Sequence, residues 1–129
     1  MLIDDEEFYQ ELLGDFLLES GENLQNLTQD IATLLTQGSE INLELVGRSR
    51  RSVHSIKGGA GFIGLTKINQ LALAMEQVLE RIFQGKLAIE ATTFTLLQTG
   101  VSHLKNMVDN IEESNNYDIE ESHNLLQAL

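Results

Sequence analysis

The chain has 129 residues, and its 8 Lys+Arg against 20 Asp+Glu give a formal net charge of −12. That length fits one domain with its own core, and the absence of cysteine removes disulfides and thiolate metal sites. The acidic balance excludes nucleic acid and anionic membrane as main partners. No apolar run approaches the roughly 20 residues that span a bilayer, and no leader-like segment opens the chain. The expectation is a cytoplasmic single domain over residues 1–129, without repeats or low-complexity segments.

Proline is absent, and apolar residues recur every three or four positions, so the fold class is all-α. The first helix is predicted from Asp4, where Asp4 and Glu7 form an acidic variant of a capping box. Its stripe runs Phe8, Leu12, Phe16, Leu17, Leu24, Leu27, Ile31 and Leu34 and stops near Gln37-Gly38, with Ser20-Gly21 as a kink site. Such a helix has about 32 residues and a length of about 48 Å. A second helix is predicted from about Asn42 to Phe62, with Leu43, Val46, Val53, Ile56, Ala60 and Ile63 on one side. Thr66 reads as the N-cap of the third, whose stripe from Ile68 through Met75 to Ile82 ends at Gln84-Gly85.

The fourth helix is predicted over about Glu90–Glu112, and a short fifth over about 117–128 carries Ile119, Leu125, Leu126 and Leu129. Short loops make consecutive helices antiparallel neighbours. The expected architecture is an up-and-down antiparallel four-helix bundle, core about 4–112, with a short additional C-terminal helix. Four helices can close their own core, so the isolated domain is expected to be a monomer.

Charge is segregated along the chain. Eight acids crowd the first 22 residues, whereas the stretch from Leu45 to Met75 holds no acid and five bases: Arg48, Arg50, Arg51, Lys57 and Lys67. Solvated faces usually mix signs. The bland alternative is that these cations pair with acids of neighbouring helices.

Within that stretch, Gly58, Gly59 and Gly61 interrupt a helical pattern, each at a cost of about 1 kcal/mol relative to alanine. Something other than helix formation therefore requires small residues there. Residues 59–64 match G-x-G-x-x-G literally, but a dinucleotide site needs a strand before the glycines and a βαβ unit around them. Neither is present in the pattern. A phosphate-binding P-loop fails as well, because no Gly-Lys-Ser/Thr follows.

A helical wheel gives a better account. With the apolar stripe centred near Val53 and Ile56, His54 points about 130° away, into solvent. Gly47, Arg50, Arg51, Lys57, Gly58 and Gly61 share its arc. Neutral imidazole is a good nucleophile near pH 7. Cations would stabilise a phosphoryl group placed on it, and glycines would leave room for that group and for a partner's surface.

Glu76 follows Met75, the middle of the third stripe, and so sits about 100° round, on the shoulder of the packed face. From there a carboxylate can reach the next helix and fix the imidazole tautomer, or merely pair with an arginine at the surface. His103, on the polar side of its helix, and His123, in the acidic last segment, carry no assigned role. His54 and Glu76 alone do not make a metal site, and nearby cations oppose one. Leu73, about 160° from its helix's stripe, is a candidate contact point for a partner.

The run from His54 through Lys57, Gly58, Gly59 and Gly61 to Gly64 resembles the phosphoacceptor motif of histidine phosphotransfer (HPt) domains. It is most similar to the N-terminal domain of CheA-type chemotaxis histidine kinases. The resemblance extends to Phe16–Ser20, Leu24 and Leu27 in the first helix and to Met75-Glu76 in the third, over about residues 8–112. It implies a bundle whose exposed histidine is phosphorylated at the far ring nitrogen by ATP on a separate kinase domain. The phosphoryl group then passes to an aspartate of a response-regulator receiver.

By position, the resemblance makes His54 the phosphoacceptor, has Lys57 contact the phosphoryl group and has Glu76 orient the imidazole, while Gly58 keeps the surroundings open. Many such domains carry a second histidine where this chain has Leu73. The expected protein is thus a two-component phosphocarrier that binds no cofactor itself, ATP and Mg belonging to the kinase domain. A free-standing shuttle between receivers and a non-phosphorylated adaptor bundle are the alternatives. The closeness of Met1 to the first helix favours the first module of a kinase.

Overall fold

The computed structural model describes residues 5–37 and 40–129. Its helices are α1 (Asp5–Gln37), α2 (Leu43–Phe62), α3 (Thr66–Phe83), α4 (Ala91–Asp109) and α5 (Glu120–Gln127), with a 3-10 helix, Ile111–Asn116, before the last. No strand occurs among the described residues. The all-α bundle expected from apolar spacing is what the chain forms.

Both α1 and α3 pack against α2 and α4, so the four long helices close a ring, and α5 lies along α3 and α4. Contacts run in opposite chain order across each pair. Arg48 meets Asp30 and Gly59 meets Phe16 between α1 and α2, while Arg50 meets Glu80 and Lys57 meets Asn69 between α2 and α3. These helices are therefore antiparallel. Leu27, Ile31, Ile56, Leu71, Met75 and Leu97 are fully buried where the four stripes converge. Among the described residues no helix is long and apolar enough to cross a membrane.

The helix ends explain why the turns fall where they do. Asn42 caps α2, its side chain accepting from the backbone N–H of Glu44 and Leu45 at 2.9 and 3.3 Å. The far ends of α2 and α3 share one device. Gly64 (φ 79°) and Gly85 (φ 74°) turn the backbone left-handed. This lets the N–H of Leu65 reach the Ala60 carbonyl at 2.9 Å and that of Lys86 reach the Arg81 carbonyl at 2.8 Å.

Several expectations require correction. Thr66 is the first helical residue of α3 and not its cap; Leu65 holds the cap position and offers no side-chain bond. The bond comes from 49 residues away, where Asn115 Oδ1 accepts from the Thr66 N–H at 2.9 Å. The Asn115 amide also donates to the Gly64 carbonyl at 3.1 Å. The fourth helix ends at Asp109, short of Glu112, because Asn110 (φ −128°, ψ 56°) leaves the helical region. The apolar spacing that carried the expectation on to Ile111 continues into the 3-10 helix.

The last helix is shorter than 117–128, and Leu125 on it is exposed. Phe8 and Leu43, assigned to the core stripes of α1 and α2, are exposed at 60% and 48%. Both lie in the first two turns of their helices. Helix α1 runs unbroken through Ser20 and Gly21. The capping box at Asp4 and the stop at Gly38 lie outside the described residues.

Candidate functional site

The middle of α2 presents His54 outward, its side chain 62% exposed. Val53 and Ile56, on the opposite side of the same turns, are buried and fix the rotation of the helix. In α3, Met75 is fully buried at the ring's centre, which brings Glu76 to the α2 side, 13% exposed. There Glu76 Oε2 lies 2.5 Å from His54 Nδ1, and Oε1 accepts from Lys57 Nζ at 2.7 Å. One carboxylate thus joins a histidine and a lysine that are three residues apart on the facing helix.

The charge state of Glu76 follows from this geometry. Burial alone would raise its pKa, but hydrogen bonds from Lys57 and His54, with their charges, outweigh burial and hold it below the ordinary carboxylate value. The ionised carboxylate can only accept, so in the neutral imidazole the proton sits on Nδ1 and the lone pair on Nε2. Nε2 has no hydrogen-bond partner among the described residues.

The three glycines differ in what surrounds them. At Gly58 a Cβ would meet nothing within 4 Å, so the space beside His54 is open. Gly59 lies against Phe16 of α1, and Gly61 against the amide of Asn69 in α3. Gly47 is buried beside Phe83 rather than on the open arc.

The cation-rich stretch is more neutralised than its sequence suggests. Arg48 pairs with the buried Asp30, Arg50 Nε lies 3.0 Å from Glu80 Oε2, and Lys57 is bonded to Glu76. The Arg50 guanidinium also lies over the Phe83 ring, 5.8 Å from its centroid. The pairing alternative thus accounts for three of the five cations. Arg51 and Lys67 make no ion pair among the described residues.

A groove of about 750 Å³ opens beside His54, with Arg50 on one bank and Leu126 and Gln127 of α5 on the other. Sequence reasoning assigned no role to α5 or to Glu80 here. Glu80 was the more accessible of the two, since it follows Glu76 by one turn and shares its face. His103, given no role, bonds through Nδ1 to the Tyr117 hydroxyl at 2.6 Å. No group of three or more His, Asp or Glu side chains among the described residues is placed to hold a metal ion.

The site thus sets an exposed imidazole, one nitrogen held by a carboxylate, beside an unfilled glycine position. The sequence model for the Hpt domain matches residues 11–114. The chain belongs to the Hpt domain family.

Relatives and a solved structure agree with that assignment. The sensor histidine kinase CheAY of Helicobacter pylori is 31% identical over 93% of this chain, and the chemotaxis protein CheA of Listeria monocytogenes 32% over 78%. This Hpt domain covers 16% of the length of each of them. The solution structure of the histidine phosphotransfer domain of CheA superposes with a TM-score of 0.79 at 25% identity, covering 92% of this chain and 91% of that one. The chain is a histidine phosphotransfer domain similar to those of CheA-type chemotaxis kinases.

Proposed function

We propose that His54 is the phosphoacceptor of this Hpt domain and that it relays phosphoryl groups from a kinase domain to a receiver aspartate. The observation that carries the reading is the 2.5 Å contact of His54 Nδ1 with Glu76 Oε2 on an exposed ring, a carboxylate partner that makes Nδ1 the N–H of the neutral imidazole and leaves the lone pair on Nε2. The Nε2 lone pair attacks the γ-phosphorus of ATP held with Mg on a separate kinase domain. An N–P bond forms as the P–O bond to ADP breaks. The ring becomes a phosphoimidazolium, and its new positive charge faces the ionised Glu76.

In the second step a receiver aspartate oxygen attacks phosphorus, the N–P bond breaks, and its electron pair returns to Nε2. No proton need leave Nδ1 in either direction, so the Glu76 bond persists throughout. Lys57, Arg50 and Arg51, three and four residues from His54 along α2, are the cations available to the phosphoryl oxygens. Gly58 keeps the approach open.

The reaction is completed in trans, so the domain is substrate and then donor. Similarity to CheA proteins supports a place as the N-terminal part of a CheA-like cytoplasmic kinase in chemotaxis signalling. Incubation with a CheA-type kinase domain and radiolabelled ATP should give one acid-labile phosphate per chain. Uptake of that label by His54→Gln would overturn the assignment.

A further inference from the structure

We infer that Asn69 is a positioning residue for the phosphoacceptor site, acting through the backbone of Lys57, and that Gly61 is glycine in order to admit its amide. The inference rests on His54 being the phosphoacceptor. Asn69 stands in the first turn of α3, its N–H bonded to the Leu65 carbonyl at 3.0 Å. Its side-chain Nδ2 crosses to α2 and donates to the Lys57 carbonyl at 3.0 Å. Lys57 is therefore gripped at both ends by α3, its carbonyl by Asn69 and its ammonium by Glu76.

Asn69 and Glu76 are seven residues apart, two turns on one face of α3. The turn of α2 between Lys57 and His54 is pinned at both of those levels. A rotation or lift of α2 there would separate Nδ1 from Glu76 and Nζ from Oε1 together. Hydrogen-bond geometry tolerates only a few tenths of an ångström before such bonds weaken. The backbone bond from Asn69 restrains that motion without involving any charge of the site.

Gly61 is tied to the same contact. A Cβ there would lie 3.0 Å from Asn69 Nδ2 and 3.8 Å from its Cγ, and within 4 Å of no other residue outside its own stretch of helix. The glycine thus leaves room for the crossing amide. Its helix-propensity cost is offset by the link it permits.

The test compares Asn69→Ala, Gly61→Ala and the double variant, using nitrogen-detected NMR of the His54 ring and the initial rate of labelling by a kinase domain with ATP. Asn69→Ala should lower the fraction of the Nδ1–H tautomer and slow labelling about fivefold, the effect of one net hydrogen bond, in kcat and not in KM. Gly61→Ala should do the same in the presence of Asn69 and add nothing in its absence. A purely structural contact would move the melting temperature and leave the tautomer in place.

An unchanged tautomer and rate in Asn69→Ala, or additive effects of the two substitutions, would overturn the inference. His54→Gln run alongside separates the two readings. If it still takes up label, the phosphoacceptor assignment fails, whereas the tautomer measurement continues to report on Asn69.

Discussion

The ring of Phe16 in α1 occupies the space where a side chain on Gly59 of α2 would begin: a Cβ there would lie 2.9 Å from a ring carbon. Its neighbour Gly58 faces open space. Adjacent glycines in one helix therefore answer to different demands, one from packing and one from the surface around His54. Gly59→Ala should destabilise the fold by about 1–3 kcal/mol through overpacking. Gly58→Ala should instead stabilise the helix by about 1 kcal/mol while slowing transfer to the receiver. Thermal melts paired with transfer assays on the two variants would reveal the opposite signs.

Glu76 gives the site an acid limit. Its pKa is lowered on folding, so its contribution to stability is present above the ordinary carboxylate value and is lost as pH falls through the lowered one. Glu76→Gln should be less stable than the parent at pH 7, with the gap closing below about pH 4. The amide cannot balance a phosphoimidazolium, so labelling should fall by about 10- to 100-fold. Denaturant titrations at several pH values and a labelling time course measure the two effects separately.

Arg48 and Asp30 contribute unequally to the link between α1 and α2. Arg48 donates from Nε to Oδ2 at 2.8 Å and from Nη2 to Oδ1 at 2.6 Å, with its own side chain 56% exposed and that of Asp30 only 5%. Removing the arginine strands a buried carboxylate, whereas removing the acid leaves a cation already in water. Arg48→Ala should therefore lower the melting temperature more than Asp30→Ala. Equal losses from the two variants would refute this asymmetry.

Tyr117 ties the start of the C-terminal segment to α4. Its hydroxyl bonds His103 Nδ1 at 2.6 Å, and the two rings meet edge-on at 5.6 Å between centroids. Tyr117→Phe keeps the ring contact and removes the hydrogen bond, at a cost of about 1 kcal/mol. Amide exchange in α5 should accelerate while the core of α2 and α3 keeps its protection. Uniform exchange across the bundle would show that α5 does not open separately.

The apolar stripe of α3 is legible in the sequence: Ile68, Leu71, Ala72, Met75, Val78, Leu79 and Ile82 all face inward and carry Glu76 onto the shoulder, and only Ala74 is buried beyond it. The same arithmetic placed His54 outside. Periodicity reports rotation about a helix axis and little about height along it. Thus Phe8 and Leu43 lie on the correct side yet emerge from the bundle near the helix starts. Pairing between helices is beyond its reach. Nothing in the spacing of Asp30 and Arg48, or of Arg50 and Glu80, puts the members of either pair opposite one another. The cationic stretch accordingly looked freer in sequence than it is. His103 was passed over for the same reason, its partner lying 14 residues on, past a turn of unknown direction.

Asn115 makes the recognisable motif and the folding unit different lengths. The match to the family ends at residue 114, one position before the side chain that bonds Thr66 and Gly64. A fragment excised at that boundary keeps every residue of the phosphorylation motif. It nonetheless begins α3 without that side-chain cap, on the helix that delivers Glu76. Grafting this domain onto another kinase, or trimming it to a minimal substrate, therefore calls for a cut placed beyond Asn115 rather than at the edge of detectable homology.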